Sequence, residues 1–271
     1  MQAWLDGVPA DALGFKSRGL AYGDGVFETI AVRAGQPLLL ERHTARLSEG
    51  CKRLGIAIDP VLVRSELLDY ATRLGEGVLK LIVTRGDSQR GYAPDPSAPA
   101  RRILQGTPLP SYPSVNAEHG VRLFSCLTRL AEQPALAGMK HLNRLEQVLA
   151  RSEWTDPLYA EGLMLDVSGR VIEGVYSNLF LVRDNVLLTP DLQRCGVAGV
   201  MRAELLAQAA ALGLQSQVLE LWPADLAQAD EVFVCNSVYG IWPVLACGSL
   251  NWPAGPLTRK LQGIARVLLD A

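Results

Sequence analysis

The sequence predicts an α/β protein in which a proline-rich stretch separates two parts. Two observations support this prediction. Runs with helical spacing alternate with β-prone runs along the 271 residues, and three prolines fall within residues 106–120. Hydrophobic residues make up 49% of the chain and charged residues 20%, which is typical of a globular protein. A chain of this length forms one large domain or two smaller ones.

Composition excludes several classes of function. The net charge of -2 gives no electrostatic reason to expect nucleic acid as a partner. No apolar run approaches the roughly 20 residues that cross a membrane, and the N-terminus lacks the basic start and apolar stretch of a signal peptide. The five cysteines are odd in number and form no Cys-x-x-Cys pair. We therefore expect reduced thiols in a cytoplasmic protein, no metal site and no membrane partner.

The N-terminal part starts with a predicted strand at Trp4-Leu5, which ends in a turn at Asp6-Gly7. A glycine-rich stretch, Gly23-Asp24-Gly25, then precedes a β-prone run over residues 26–32. This stretch lacks the Lys-Ser/Thr ending of a P-loop and a strand follows it, which disfavours a phosphate loop. A plain turn and a role in lining a site both stay open.

The first predicted helix carries an arginine that could bind an anion. In residues 41–54, Leu47, Cys51 and Leu54 fall on one apolar face at spacings of four and three. Arg46 lies at the edge of that face. An arginine in such a position is usually solvated, although it can also reach a buried anion.

A loop between two predicted strands holds two arginines and a tyrosine. It reads Arg85-Gly-Asp-Ser-Gln-Arg-Gly-Tyr92, so Arg90 and Tyr92 stand near its end. Such loops are often merely exposed, but paired arginines at the end of a buried strand also suit a carboxylate. The proline-rich stretch after the next strand is the predicted domain linker.

The second part contains Lys140 in an apolar setting. Ala137, Met139 and Leu142 lie close to it in sequence, and residues 137–147 have helical character. A lysine that forms a Schiff base must be partly desolvated, so that its amine is neutral for some of the time. Lys140 has the most suitable surroundings of the five lysines. An ordinary lysine at a strand-to-helix junction fits this segment equally well.

Three further features of the second part could hold a charged ligand. Glu173 follows Val171-Ile172 in a predicted meander, where a half-buried carboxylate would need a cation or a donor. Taken alone, the segment favours an exposed position for Glu173. Residues 196–202 form a glycine-bearing turn into a helix, whose free N–H groups suit an anion. Asn236-Ser237 place two hydrogen-bonding side chains at a strand end.

The remaining elements follow from apolar spacing and turn residues. No repeat and no low-complexity tract interrupts them. The further predicted helices are 60–74, 203–212 and 256–269, and the further strands are 78–84, 102–105, 121–127, 163–166, 171–172, 179–182, 187–190 and 231–235. Trp242-Pro243-Val244 is followed by a predicted hairpin around Gly248.

Together these features match the needs of a pyridoxal phosphate site. A lysine holds the cofactor aldehyde, and a carboxylate keeps the pyridine nitrogen protonated so that the ring can accept electrons. An arginine, backbone N–H groups and a hydroxyl hold the phosphate.

The sequence also resembles the fold-type IV pyridoxal-phosphate enzymes, which include the branched-chain and D-amino-acid aminotransferases. Within them it is most similar to the aminodeoxychorismate lyases of folate biosynthesis, and the run Lys-His-Leu-Asn-Arg-Leu-Glu-Gln separates these lyases best from the aminotransferases. The segments that carry the resemblance are Arg18–Thr29, His43–Arg46, Arg90–Tyr92, Gly138–Gln147, Glu173–Phe180, Gly196–Arg202 and Cys235–Ser237.

The resemblance implies roles for individual residues. Lys140 is the catalytic Schiff-base lysine, and Glu173 partners the pyridine nitrogen. The phosphate is bound by Arg46, the N–H groups of Val200 and Met201, and Ser237. Asn236 stands where the aminotransferases have glycine and is assigned to the cofactor site. Arg90, Tyr92 and Arg144 are assigned to the substrate.

The resemblance also implies the fold and the reaction. The expected fold is α/β (α+β), with a small N-terminal α/β domain over 1–107, a linker over 108–114 and a larger domain over 115–271 with a β-barrel-like core. The expected enzyme is a homodimer that converts 4-amino-4-deoxychorismate to 4-aminobenzoate and pyruvate. The alternatives are an aminotransferase for D- or branched-chain amino acids and, less compatible with these residues, a binding protein without catalysis.

Overall fold

The computed structural model describes residues 2–88 and 91–270. It divides into two compact units. One unit contains the chain up to Pro110 together with Met139–Asn143, and the other contains Ser111–Gly138 and Arg144–Asp270. The sequence does not anticipate that the segment around Lys140 joins the first unit. The domain bounds at 107 and 115 stay a prediction.

The first unit is a six-stranded antiparallel sheet with two long helices. Its strands lie in the order β2-β1-β6-β5-β3-β4. The elements are β1 Trp4–Leu5, β2 Val8–Pro9, α1 Arg18–Tyr22, β3 Gly25–Arg33, β4 Gln36–Pro37, α2 Leu40–Leu54, α3 Pro60–Leu74, β5 Gly77–Thr84 and β6 Arg101–Thr107.

Local chemistry sets where helix α3 begins and where helix α2 ends. The Asp59 side chain accepts hydrogen bonds from the N–H groups of Val61 and Leu62, at 2.9 and 3.2 Å, and Pro60 occupies the first turn. Helix α2 ends at Gly55, whose φ of 67° lies in the left-handed region that glycine tolerates. The inner faces of both helices contribute buried side chains to one core with the sheet.

The second unit is built on a closed six-stranded barrel, as the resemblance implies. The barrel strands pair in the cycle β10-β13-β14-β7-β8-β9-β10, and β11 and β12 extend the sheet beyond β10. The elements are α4 Ser114–Glu118, β7 Val121–Leu130, α5 Leu145–Arg151, β8 Tyr159–Asp166, β9 Val171–Gly174, β10 Asn178–Arg183, β11 Val186–Pro190, α6 Val200–Ala211, β12 Ser216–Leu219, α7 Pro223–Ala227, β13 Glu231–Asn236, β14 Gly240–Cys247, β15 Leu250–Asn251 and α8 Pro256–Leu269.

The long predicted elements are confirmed, and the differences lie in short segments. Residues 138–144 do not form a helix: the segment around Lys140 runs without helical hydrogen bonds, and α5 begins at Leu145. Helix α6 begins at Val200, three residues before the predicted start. The sequence does not predict the helices α1, α4 and α7 or the strand β12, because four or five residues carry too little periodicity to be recognised.

Two general properties concern the whole described chain. Within residues 2–88 and 91–270, no helix combines the length and apolar character needed to cross a membrane. The five cysteines are buried as free thiols.

Candidate active site

The segment around Lys140 lies along strand β3 of the first unit. The Phe27 N–H donates to the Lys140 carbonyl at 2.9 Å, and the Leu142 N–H donates to the Gly25 carbonyl at 3.0 Å. The Lys140 side chain is half-buried, with Nζ 4.5 Å from the centre of the Phe27 ring. Backbone pairing and an aromatic face thus hold the lysine in one place.

The glycine-rich turn before β3 contacts this lysine segment. Asn143 Nδ2 donates to the Gly23 carbonyl at 3.1 Å. A Cβ on Gly23 would lie 2.6 Å from Asn143 Oδ1, and a Cβ on Gly25 would lie 3.0 Å from Leu142 Cδ1. The turn therefore packs closely against the lysine segment, and a side chain at position 23 or 25 would press on Asn143 or Leu142.

Arg46 belongs to a buried charged network with two residues that the sequence analysis did not single out. Glu28 on β3 accepts from Arg46 Nε at 2.8 Å and also from Arg46 Nη2. His43 Nδ1 lies 2.6 Å from the second oxygen of Glu28. Because His43 and Arg46 are three residues apart on α2, one helix face presents both to the same carboxylate.

The network fixes the protonation state of Glu28. Burial alone raises the pKa of Glu28, but the charge of Arg46 and the hydrogen bonds from Arg46 and His43 outweigh it and lower the pKa to about 2. Burial lowers the pKa of His43, and the charges of Arg46 and Lys140 lower it further against the opposing effect of Glu28. His43 Nε2 is buried with no hydrogen-bond partner in the described residues. The network is therefore an ionised Arg46–Glu28 pair with a histidine beside it.

Arg18 anchors the loop that carries Tyr92. The buried Arg18 guanidinium donates to the carbonyls of Gly91 and Tyr92, at 3.1 and 2.9 Å, and to Asp24 at 2.8 Å. The Tyr92 side chain is 85% exposed, and its ring lies 5.5 Å from the Tyr22 ring. Arg90, which we predict to bind substrate, lies outside the described residues.

In the second unit, Glu173 is buried and not exposed as its segment alone suggests. It is 3% exposed and lies on β9, between β8 and β10 of the barrel. Its Oε2 accepts from the Val197 N–H at 2.9 Å, and Asn178 Nδ2 lies 3.5 Å away. The expectation of an exposed position fails because both faces of β9 are covered, so that all four of its residues are buried.

The loop that precedes α6 packs against Glu173. The Asn178 amide donates to the Val197 carbonyl at 2.8 Å, so Asn178 and Glu173 together bind both backbone groups of Val197. A Cβ on Gly196 would lie 3.3 Å from Glu173 Oε2, and a Cβ on Gly199 would overlap the Asn178 amide oxygen. The glycines thus permit close approach of the backbone to the carboxylate.

The first turn of α6 is where we predict phosphate binding by Val200 and Met201. Gly199 at the N-cap supplies no side-chain cap, and the first N–H groups of a helix have no acceptor within it. They lie at the positive end of the helix dipole. Val200 and Met201 have buried side chains, so their contribution to a ligand is through the backbone.

The other predicted residues of this unit occupy two places. Asn236 ends β13, and its side chain donates to the Tyr176 carbonyl at 3.3 Å and accepts from the Val238 N–H at 2.9 Å. Ser237 follows it and is half-buried. Arg144 is the N-cap residue of α5. Burial lowers the pKa of Arg144, although the charges of Glu173 and Glu146 oppose this shift.

Each unit by itself offers groups that pyridoxal phosphate requires. The first unit offers a half-buried lysine held by its backbone and an arginine whose guanidinium is held in place by a buried carboxylate. The second unit offers a buried carboxylate for a pyridine nitrogen and an uncapped helix N-terminus for a phosphate. Glu28 and Asn178 are not predicted as site residues from the sequence. The signal for Glu28 was an acidic residue within a β-prone run that precedes a helix with basic residues.

Comparison with known proteins agrees with this geometry. Residues 25–247 match the family described as amino-transferase class IV. The chain is 36% identical to the aminodeoxychorismate lyase of Vibrio harveyi, over 96% of this chain and 98% of that protein.

Solved structures show the same fold. The crystal structure of 4-amino-4-deoxychorismate lyase from Pseudomonas aeruginosa has 62% sequence identity and a TM-score of 0.98, covering 99% of this chain and 100% of that one. A branched-chain amino acid aminotransferase from T.th., complexed with N-(5'-phosphopyridoxyl)-L-glutamate, has 26% identity and a TM-score of 0.84, covering 99% of this chain and 93% of that one. The resemblance found in the sequence and the expected fold class are therefore confirmed. The chain belongs to the amino-transferase class IV family, whose members depend on pyridoxal phosphate.

Proposed function

We propose that the protein is a pyridoxal-phosphate-dependent lyase that converts 4-amino-4-deoxychorismate to 4-aminobenzoate and pyruvate. The observation that carries the proposal is the Lys140 segment. Its lysine is half-buried against Phe27, and its backbone is paired to β3. The 62% identity to a 4-amino-4-deoxychorismate lyase supports the choice of substrate.

Each residue of the site would act on a stated part of the cofactor. Lys140 Nζ would hold the aldehyde carbon, and the Glu173 carboxylate would keep the pyridine nitrogen protonated. Arg46, Ser237 and the first N–H groups of α6 would bind the phosphate. Bound pyridoxal phosphate supplies a protonated ring that accepts the electrons released when a substrate C–H bond breaks.

The chain's own residues then move one proton. Lys140 would also serve as the base: its amine, when it is not engaged by the cofactor, would accept the proton from ring carbon 4 of the substrate. The enolpyruvyl group leaves with its oxygen from the neighbouring carbon, and the ring becomes aromatic. The leaving group takes up one proton as it becomes pyruvate, so atoms balance without a second substrate. Arg90, Tyr92 and Arg144 are proposed to bind the substrate carboxylates.

The test is product formation with no 2-oxo acid added. 4-Aminobenzoate and pyruvate are followed together from 4-amino-4-deoxychorismate. We expect equal amounts of both. If neither product forms while the protein holds pyridoxal phosphate, the choice of substrate is wrong and the cofactor assignment stands.

An aminotransferase for D- or branched-chain amino acids is the second candidate. The likeness to a branched-chain amino acid aminotransferase favours it, since the same lysine and carboxylate would serve both reactions. Amino-group transfer to a 2-oxo acid distinguishes the two, because the lyase reaction needs no acceptor.

The proposal includes a homodimer in the cytoplasm. Its support is the resemblance to the family, the five buried thiols, and strongly exposed apolar side chains such as Phe15 and Leu127, at 95% and 81%. Light scattering during size-exclusion chromatography measures the oligomeric state, and a monomer at assay concentration would contradict the dimer.

A further inference from the structure

Glu161 is a fully buried carboxylate that no part of the proposed reaction uses. It lies on β8 with 0% exposure, and no arginine, lysine or histidine of the described chain forms an ion pair with it. Its Oε1 accepts from the N–H groups of Gly162 and Val175 at 2.8 and 3.1 Å. Its Oε2 accepts from the Tyr176 N–H at 3.3 Å and the Ser177 hydroxyl at 2.7 Å.

Three of these four donors belong to one turn. Residues 175–177 connect β9 to β10, and the carboxylate of Glu161 binds every residue of that connection. The three backbone N–H groups need acceptors, and both oxygens of the Glu161 carboxyl can accept whether or not the group is ionised, whereas an amide has only one accepting oxygen. An amide at position 161 would leave at least one buried donor without an acceptor, which is costly.

The turn joins the two residues that bind the loop before α6. Glu173 is two residues before the turn and Asn178 directly follows it, and these two side chains bind the N–H and the carbonyl of Val197. Asn236 holds the same turn from another side through the Tyr176 carbonyl. The contacts therefore run from Glu161 through the turn to Glu173 and to the start of α6.

The end of β9, directly before the turn, packs closely against Glu161. A Cβ on Gly174 would lie 2.9 Å from the Glu161 carboxyl carbon and would overlap the Ser177 hydroxyl oxygen. The backbone and the carboxylate are thus packed against each other as well as hydrogen-bonded. A substitution at Glu161 must therefore either move the turn or leave some of its hydrogen-bond donors without an acceptor.

We propose that Glu161 is a positioning residue for the cofactor, which holds the 175–177 turn and thereby places Glu173 against the pyridine nitrogen. The inference rests on the proposed binding of pyridoxal phosphate. Glu161 touches neither substrate nor cofactor and acts through Glu173, Asn178 and Val197. Loss of the Glu161 carboxyl would mainly weaken cofactor binding and speed hydrogen exchange at the backbone amides of this chain of contacts.

The test compares Glu161→Gln with a matched control, Glu153→Gln. Glu153 also holds backbone N–H groups with its carboxylate, those of Leu127 and Thr128 at 2.5 and 2.7 Å, but it contacts none of the residues in this chain of contacts. Three quantities are measured for the full chain: the dissociation constant of pyridoxal phosphate, the melting temperature of the cofactor-free protein, and hydrogen exchange at Val175, Tyr176 and Val197.

We expect Glu161→Gln to weaken cofactor binding about tenfold, because one buried N–H loses its acceptor. Exchange at Tyr176 and Val197 should become faster, while Glu153→Gln binds the cofactor like the wild type. If Glu161→Gln binds as tightly as the control, or Val197 exchange is unchanged, the positioning role is wrong. If the unmodified protein itself binds no pyridoxal phosphate, the cofactor assignment and this inference both fail.

Discussion

Glu28 receives the Arg46 guanidinium on both of its carboxylate oxygens, with Arg46 Nε 2.8 Å from Oε1. Such a paired arrangement fixes the plane of the guanidinium as well as its position. In Glu28→Gln the neutral amide cannot hold Arg46 in this way, so we expect pyridoxal phosphate to bind about tenfold more weakly. Fluorescence titration measures the affinity. Glu41→Gln is the control, because Glu41 pairs with Arg64 on the exposed side of α2. Equal affinities in both variants would contradict the role of Glu28.

The same pair predicts a loss of stability in acid. The pKa of Glu28 is lowered from 4.5 to about 2 in the folded protein, so its contribution is complete above pH 4.5 and is lost as the pH falls toward 2. The contribution is on the order of 3 kcal/mol, at 1.36 kcal/mol for each unit of pKa. Denaturant unfolding of the wild type and Glu28→Gln between pH 2 and 6 measures it. A stability difference that does not change with pH would contradict the low pKa.

Two lysines contact the ring of Phe27, and only one is predicted to hold the cofactor. Lys140 Nζ lies 4.5 Å and Lys80 Nζ 5.2 Å from the ring centre. Lys140→Ala removes the amine that binds the aldehyde, so we expect it to abolish turnover and the absorption band of the lysine-bound cofactor. Lys80→Ala loses a similar contact with the ring and should keep both properties. Retention of both by Lys140→Ala would exclude its catalytic role.

Glu173→Gln separates the chemical role of the carboxylate from its structural one. The amide can still accept the Val197 N–H bond, now made at 2.9 Å, but it cannot keep a pyridine nitrogen protonated. We expect kcat to fall by about 10²- to 10⁴-fold, the usual range for the loss of a proton-handling group, with cofactor retained. Steady-state kinetics and the cofactor content of the purified protein are the measurements. A variant with unchanged kcat would show that the nitrogen has another partner.

Much of this arrangement could be predicted from local sequence. Helix α3 has its predicted bounds because Pro60 and the apolar spacing mark them within fifteen consecutive residues. Glu173 is found through the resemblance, while its own segment suggests an exposed position. Its burial depends on the pairing of β9 with β10, which no local pattern records. For a related reason, Glu28 and Glu161 are not predicted. Their partners on other elements lie 14 to 18 residues farther along the chain, and an acidic residue on a strand does not by itself identify such partners.

Burial of Glu161 predicts that the stability of the protein depends on pH in the direction opposite to the effect of Glu28. Burial raises its pKa from 4.5 to about 7, although its hydrogen bonds with Ser177, Gly162, Tyr176 and Val175 oppose the shift. An acid whose folded pKa is raised stabilises the protein most below pH 4.5 and loses that contribution as the pH rises to 7. The loss amounts to about 3 kcal/mol, because ionising the buried group takes it away from water. Unfolding of the cofactor-free wild type and Glu161→Gln between pH 4.5 and 8 measures the difference. If the stability of the wild type relative to the variant stays level or rises over this interval, the four hydrogen bonds outweigh burial and Glu161 is ionised throughout.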